Sequence, residues 1–219
     1  MTTEPTGFLY PFIEAEERDS ATLLHELAGS ARTKIAESRN LRVATLERCA
    51  EQLEQAGAAM AACFLGGGRL FTFGNGGSAT DAEGTVELFV HPPYGRPLPA
   101  LSLVDDRAVL TALSNDVGFE LVFSRQLIAH GAAGDIALGI STSGDSVNLL
   151  QAFEEAARRR LLTVGLCGYD GSAMATSDAV RHCLVVRSES VHRIQEAQDA
   201  LLLQLWSIVQ RHVEEGGHS

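Results

Sequence analysis

Residues 141–146, Ser141-Thr142-Ser143-Gly144-Asp145-Ser146, place four hydroxyls around one glycine just ahead of a helical pattern. Hydroxyls and backbone N–H groups donate to phosphate oxygens, and a helix N-terminus favours negative charge. An ordinary capped helix needs one hydroxyl, not four. The stretch therefore points to a phosphate cradle. It has neither the GK[ST] ending of a nucleotide-binding loop nor a GxGxxG pattern, so the ligand is expected to be smaller than a nucleotide. A second stretch, Gly74-Asn75-Gly76-Gly77-Ser78, combines three glycines with a serine at a helix N-cap position. Glycine lets the backbone turn tightly and approach a ligand closely. Taken alone, this stretch also fits a plain strand-to-helix turn.

The elements around these loops alternate. Arg69–Gly74 predicts a strand, Ala79–Val90 a helix, and His91–Pro99, with its four prolines, a loop. Ala100–Val104 predicts a second strand, followed by short helices over Arg107–Leu113 and Phe119–His130. Asp135–Ile140, Leu161–Cys167 and Leu184–Arg187 predict three more strands, with helices over Ser146–Arg159 and Val191–Val213. Continuous apolar strands separated by helices indicate a parallel sheet covered on both faces. The expected fold is a three-layer α/β/α sandwich with a five-stranded parallel sheet, in which ligands bind beyond the carboxyl ends of the strands. Two amphipathic helices are expected first, between Ser20 and Ala62, separated at Arg39–Asn40. Residues 1–19 are read as an extended lead-in, and 20–215 as a single domain.

The formal net charge of −11 argues against a nucleic-acid surface, which needs clustered Lys and Arg. A small anion remains compatible, because amides and hydroxyls hold phosphate without net positive charge. The four cysteines form no CxxC pair and are expected to be reduced thiols. The acidic N-terminus does not resemble a signal peptide, and no apolar run is long enough for a membrane span. A cytoplasmic protein is expected.

Together, GNGGS at 74–78, Asn115-Asp116, GISTSGDS at Gly139–Ser146 and RIQE at Arg193–Glu196 resemble the sugar-isomerase (SIS) family. The likeness is greatest to its phosphoheptose isomerase branch and to the related initiator-associating proteins that bind DnaA. It covers residues 20–215 and implies a flavodoxin-like SIS sandwich, assembled as a homotetramer with ligand pockets between subunits. The implied ligand is a phosphorylated sugar of the heptose or ketose phosphate class. Its phosphate would lie on Ser141, Thr142, Ser143 and Ser146. Asn75, Gly76 and Ser78 would line the pocket, and Asp116 and Gln195 would approach the sugar.

The resemblance also implies a Glu and a His for proton transfer, and a zinc held by two His, a Glu and a Gln. Aligned on Asp81-Ala82, the first His and the Glu fall at Gly84 and Leu88. The second His, eight residues after the glutamine, falls at Leu203. Only Gln195 remains, and one neutral amide does not hold zinc. No metal and no other cofactor is therefore expected. Glu83 and Glu87 lie one position away from the missing pair, a rotation of roughly 100° on a helix. Ion-paired or solvated glutamates are the plainer reading of both, with Glu87 retained as a displaced base. His192 stands where the family usually carries an Asp, and is a second candidate base or else a surface or interface residue. His182, at a strand start, reads as structural. The expectation is a phosphosugar-binding protein acting as a sensor or as an adaptor for a partner protein. The alternative is an isomerase working through displaced residues.

Overall fold

The computed structural model describes residues 20–217. The lead-in expected over 1–19 lies outside the described residues. Two compact units divide the chain, Met1–Arg39 and Asn40–Ser219. The first element, α1, is a single helix, Ser20–Leu65. The break expected at Arg39–Asn40 is therefore absent. Neither residue removes a backbone donor or forces a left-handed turn, and no proline falls within the helix. It ends at Gly66–Gly68, where Gly67 adopts a φ of 86°.

The second unit continues with β1 (Leu70–Gly74), α2 (Gly77–Val90), β2 (Ala100–Ser102), α3 (Arg107–Asp116), a 3-10 turn (Phe119–Leu121) and α4 (Val122–His130). There follow β3 (Ile136–Ile140), α5 (Val147–Arg158), β4 (Leu162–Gly168), α6 (Ser172–Thr176), β5 (His182–Val186) and α7 (Val191–Gly216). The five strands are parallel, in the order β2-β1-β3-β4-β5. Strand β2 stops at Ser102, short of the expected Val104, although Leu103 still donates to the Thr72 carbonyl at 2.9 Å before the chain turns away. The five-residue helix α6 was not foreseen.

Alternate strand residues face opposite layers, as the period of two requires. Leu70, Ile136, Leu138 and Ile140 pack with Leu53 and Met60 of α1, Phe89 of α2, and Leu205 and Trp206 of α7. Phe71, Phe73 and Ala137 pack with Phe123 of α4 and Leu149 and Phe153 of α5. Phe73 meets the Phe123 and Phe153 rings at 5.4 and 5.3 Å. A side chain at Gly139 would run into Phe73 and Phe153, so this glycine sets the closeness of packing just below the hydroxyl-rich loop. All four cysteines are free thiols. Cys167 and Cys183, read as distant in sequence, come to 3.4 Å between sulfurs across β4 and β5. Among the described residues, no helix is long and apolar enough to cross a membrane.

The strand order positions the site. From β1 the chain passes outward to β2, whereas from β3 it passes the other way to β4. The loops leaving adjacent β1 and β3 therefore diverge and open a crevice at the carboxyl edge. Those two loops are the glycine-rich and hydroxyl-rich stretches.

Candidate phosphate-binding site

Beyond β3, Ser141 donates its backbone N–H to the Leu166 carbonyl at 2.9 Å, carrying the ladder one residue past the strand. Its Oγ accepts the Gly144 N–H at 3.0 Å, which closes a tight turn. Gly144 sits at a φ of 78°, with its Cα against the Gly171 carbonyl, so only glycine fits. The Ser143 and Ser146 hydroxyls each lie 3.4 Å from the Ser141 hydroxyl. Ser146 is the N-cap of α5, yet its side chain makes no cap hydrogen bond. That hydroxyl is left to face a ligand. Thr142 is half-buried in the same turn. Asp145 donates its N–H toward Ser143 Oγ, while its carboxylate accepts the Ala173 N–H at 3.0 Å at the start of α6.

After β1 the N-cap is Gly76, at a φ of 56°, so Ser78 is buried in the first turn of α2 rather than capping it. The glycine turn is tighter than its sequence suggested, because Gly76 reverses the chain by itself. The Ser78 N–H donates to the Asn75 carbonyl at 3.1 Å. The Asn75 side chain is paired with Asn148 of α5 through two reciprocal amide hydrogen bonds of 2.9 Å. From α7, the Gln195 amide lies on Gly77, where a side chain would collide with it. Wholly buried Gln198 donates to the Ser141 carbonyl at 2.9 Å. Asn148 and Gln198 were missed at the sequence level.

A small cavity of about 200 Å³ opens between α2 and α7, lined by Asp81, Gly84, Leu88, Asp199 and Leu203. Gly84, Leu88 and Leu203, which were aligned one by one from sequence, thus meet around one space. Asp81 is pushed up to about 6 by burial and by the Asp199 carboxylate, against a hydrogen bond from Gln195. Its Oδ2 is buried without a partner. Asp199 is raised too, by burial and then by Glu196.

A carboxyl held above its unfolded value of 3.8 favours the fold most at low pH, and that contribution is lost as pH rises through about 6. Asp81→Asn should therefore be more stable than the natural chain at pH 8, by ~1 kcal/mol after discounting for solvent screening, and no more stable at pH 4. Urea unfolding at the two pH values measures the difference, and an equal gap at both would contradict it.

The remaining candidates are dispersed within the chain. Glu87 is exposed and pairs with His91 at 3.1 Å. It lines a larger cavity of about 650 Å³, together with Glu83, Gly84, Asp105 and Arg107. Asp116 ends α3, exposed, its carboxylate accepting from Asn115 at 2.8 Å. His192 is exposed in the first turn of α7. His182 opens β5, and burial lowers its imidazole from the ordinary value.

The family model for the SIS domain matches residues 35–168, more than half of the chain. The chain belongs to the SIS-domain family. Among curated SIS relatives, the phosphoheptose isomerase of Sulfurimonas denitrificans is 43% identical over 69% of this chain and 77% of its own length. That of Desulfovibrio desulfuricans is 47% identical over 67% and 70%. Among solved SIS structures, phosphoheptose isomerase from Neisseria gonorrhoeae superposes with a TM-score of 0.78 at 33% identity, covering 84% of this chain and 99% of that one. The Francisella tularensis phosphoheptose isomerase gives 0.79 at 30% identity, over 84% and 98%. This SIS chain is thus closely related to phosphoheptose isomerases in sequence and in fold. A zinc site of the kind that the branch implies finds poor donors here. Glycine and leucine supply none, and Gln195 is engaged with Asp81.

Proposed function

We propose that this protein binds a phosphorylated ketose or aldose of the heptose phosphate class and turns it over little or not at all, serving as a sensor or as an adaptor for a partner protein. One observation carries the binding: three serine hydroxyls converge at a helix start, and the N-cap serine does not cap. Amides and hydroxyls in that arrangement suit a phosphate dianion. The names of the relatives support a sugar phosphate as the ligand. Asn75, Gly76, Ser78, Asp116, Thr142 and Gln195 would complete the pocket. Weak turnover is supported by Gly84, Leu88 and Leu203, which offer neither a proton-transfer group nor a metal ligand where the resemblance places them. Titration calorimetry with sedoheptulose 7-phosphate tests the proposal, and saturable one-site binding is the expected result.

The second reading is an isomerase that needs no zinc. Asp81 favours it, since a carboxyl near 6 beside the small cavity has the proton affinity of a general base. His192 and Glu87 are the further candidates.

We also propose a homo-oligomer, a tetramer by resemblance, with a cytoplasmic location in keeping with four free thiols. Leu24, Leu27 and Ile35 form one exposed apolar stripe on the first half of α1, each more than half exposed. Light scattering at micromolar concentration should give several times the monomer mass. Leu27→Glu with Ile35→Glu should lower it. A stable natural monomer would defeat the assembly.

A further inference from the structure

The two loops of the crevice are joined by one side-chain contact that belongs to neither motif. Asn75 leaves β1 and Asn148 stands in the first turn of α5, 73 residues later. Asn148 is 3% exposed, and Asn75 is half-buried at the crevice. Each amide gives one N–H to the other's carbonyl oxygen and accepts one in return, both at 2.9 Å. A primary amide has two N–H groups and two acceptor lone pairs. The reciprocal pair therefore fixes the plane of Asn75 and leaves one N–H and one lone pair of it toward the crevice.

We propose that Asn148 is a positioning residue. It clamps Asn75, so that the glycine-rich loop presents a pre-aimed amide to the sugar while the hydroxyl-rich loop holds the phosphate. This rests on the phosphosugar reading above and adds to it the residue that couples the two loops. Without the clamp, Asn75 would have to be ordered by the ligand, at a cost in affinity. Sugar contacts should weaken more than phosphate contacts, because the hydroxyl cluster makes no use of Asn148.

Asn148→Asp separates the clamp from mere filling of space. The carboxylate has the shape of the amide but is acceptor-only, and it would set an anionic oxygen against Asn75 Oδ1. Protonation restores a donor and, with it, the reciprocal pair. Affinity for sedoheptulose 7-phosphate, measured by calorimetry as the ratio of variant to natural chain, should be about tenfold down at pH 8 and recover to within about twofold near pH 5. Taking the ratio removes the titration of the ligand and of Asp81. Asn148→Ala, verified as folded by thermal unfolding, should be weakened equally at both pH values. Inorganic phosphate should distinguish the variants from the natural chain by less than about twofold.

Nitrogen-15 NMR of the Asn75 side-chain amide gives a readout that needs no ligand. Its two proton signals should be well dispersed in the natural chain, should collapse in Asn148→Ala, and should titrate in Asn148→Asp. If the natural chain binds sugar phosphate and Asn148→Asp binds it equally well at every pH, the clamp is overturned and the binding reading stands. If the natural chain binds no sugar phosphate, both are overturned together.

Discussion

With sedoheptulose 7-phosphate in deuterated buffer, the purified protein should leave the proton next to the carbonyl unexchanged at close to the background rate. Moving that proton between neighbouring carbons needs a base and an acid poised near neutral pH, and each typically contributes ~10²–10⁴-fold. Leu88 and Leu203 stand where the resemblance places the Glu and the His, and both line the same cavity. Losing both groups removes most of the rate, even with binding intact. Proton NMR of the sugar over hours reads the exchange, and calorimetry on the same sample shows whether the sites are filled. Rapid exchange with full occupancy would sink the sensor reading. Asp81→Asn, Glu87→Ala and His192→Ala would then identify the base. Loss only in Asp81→Asn, with a rate that falls as pH drops through about 6, would assign it to the small cavity.

Replacing Ser143 and Ser146 together by alanine should weaken sugar-phosphate binding by ~1–3 kcal/mol, since hydrogen bonds to a charged group are lost. Neither hydroxyl is part of the frame of the loop. The turn is closed by Ser141 Oγ on the Gly144 N–H and anchored by Gln198 on the Ser141 carbonyl, and both remain in the double variant. The melting temperature without ligand should therefore move little while affinity falls. Unchanged affinity in calorimetry would remove the phosphate from this loop. Ser141→Ala is a poorer test, because it also frees the Gly144 N–H and loosens the turn itself.

The layered architecture was legible because each strand is a short apolar run between turn residues and each later helix has a clear period. The hydroxyl-rich loop was legible because four hydroxyls exceed what capping requires. The single helix α1 was not. Arg39 and Asn40 interrupt the apolar pattern, but a change of pattern alters which face is apolar without interrupting backbone hydrogen bonds. Helix α6 was hidden because its start is set from outside, by Asp145 and by the Gly144 carbonyl accepting from Met174. Asn148 and Gln198 read as ordinary polar residues on helices. Their partners lie 73 and 57 residues away, and only the fold brings them together. Asp81 served as an alignment anchor, yet its chemistry depends on burial and on Asp199 across the cavity, which no local pattern reveals.

The hydroxyl cluster at the start of α5 is built without a lysine or arginine between Ser141 and Ser146, on a chain of net charge −11. Asp145, beside it, has its carboxylate engaged at the start of α6. A dianionic ligand approaching this crevice therefore meets long-range repulsion first and short-range donation only on arrival. Added salt shortens the reach of that repulsion to about 8 Å at physiological ionic strength, and leaves the hydrogen bonds in the cradle largely untouched. The protein should take up its ligand faster as ionic strength rises, the opposite sign from a phosphate site lined with arginines.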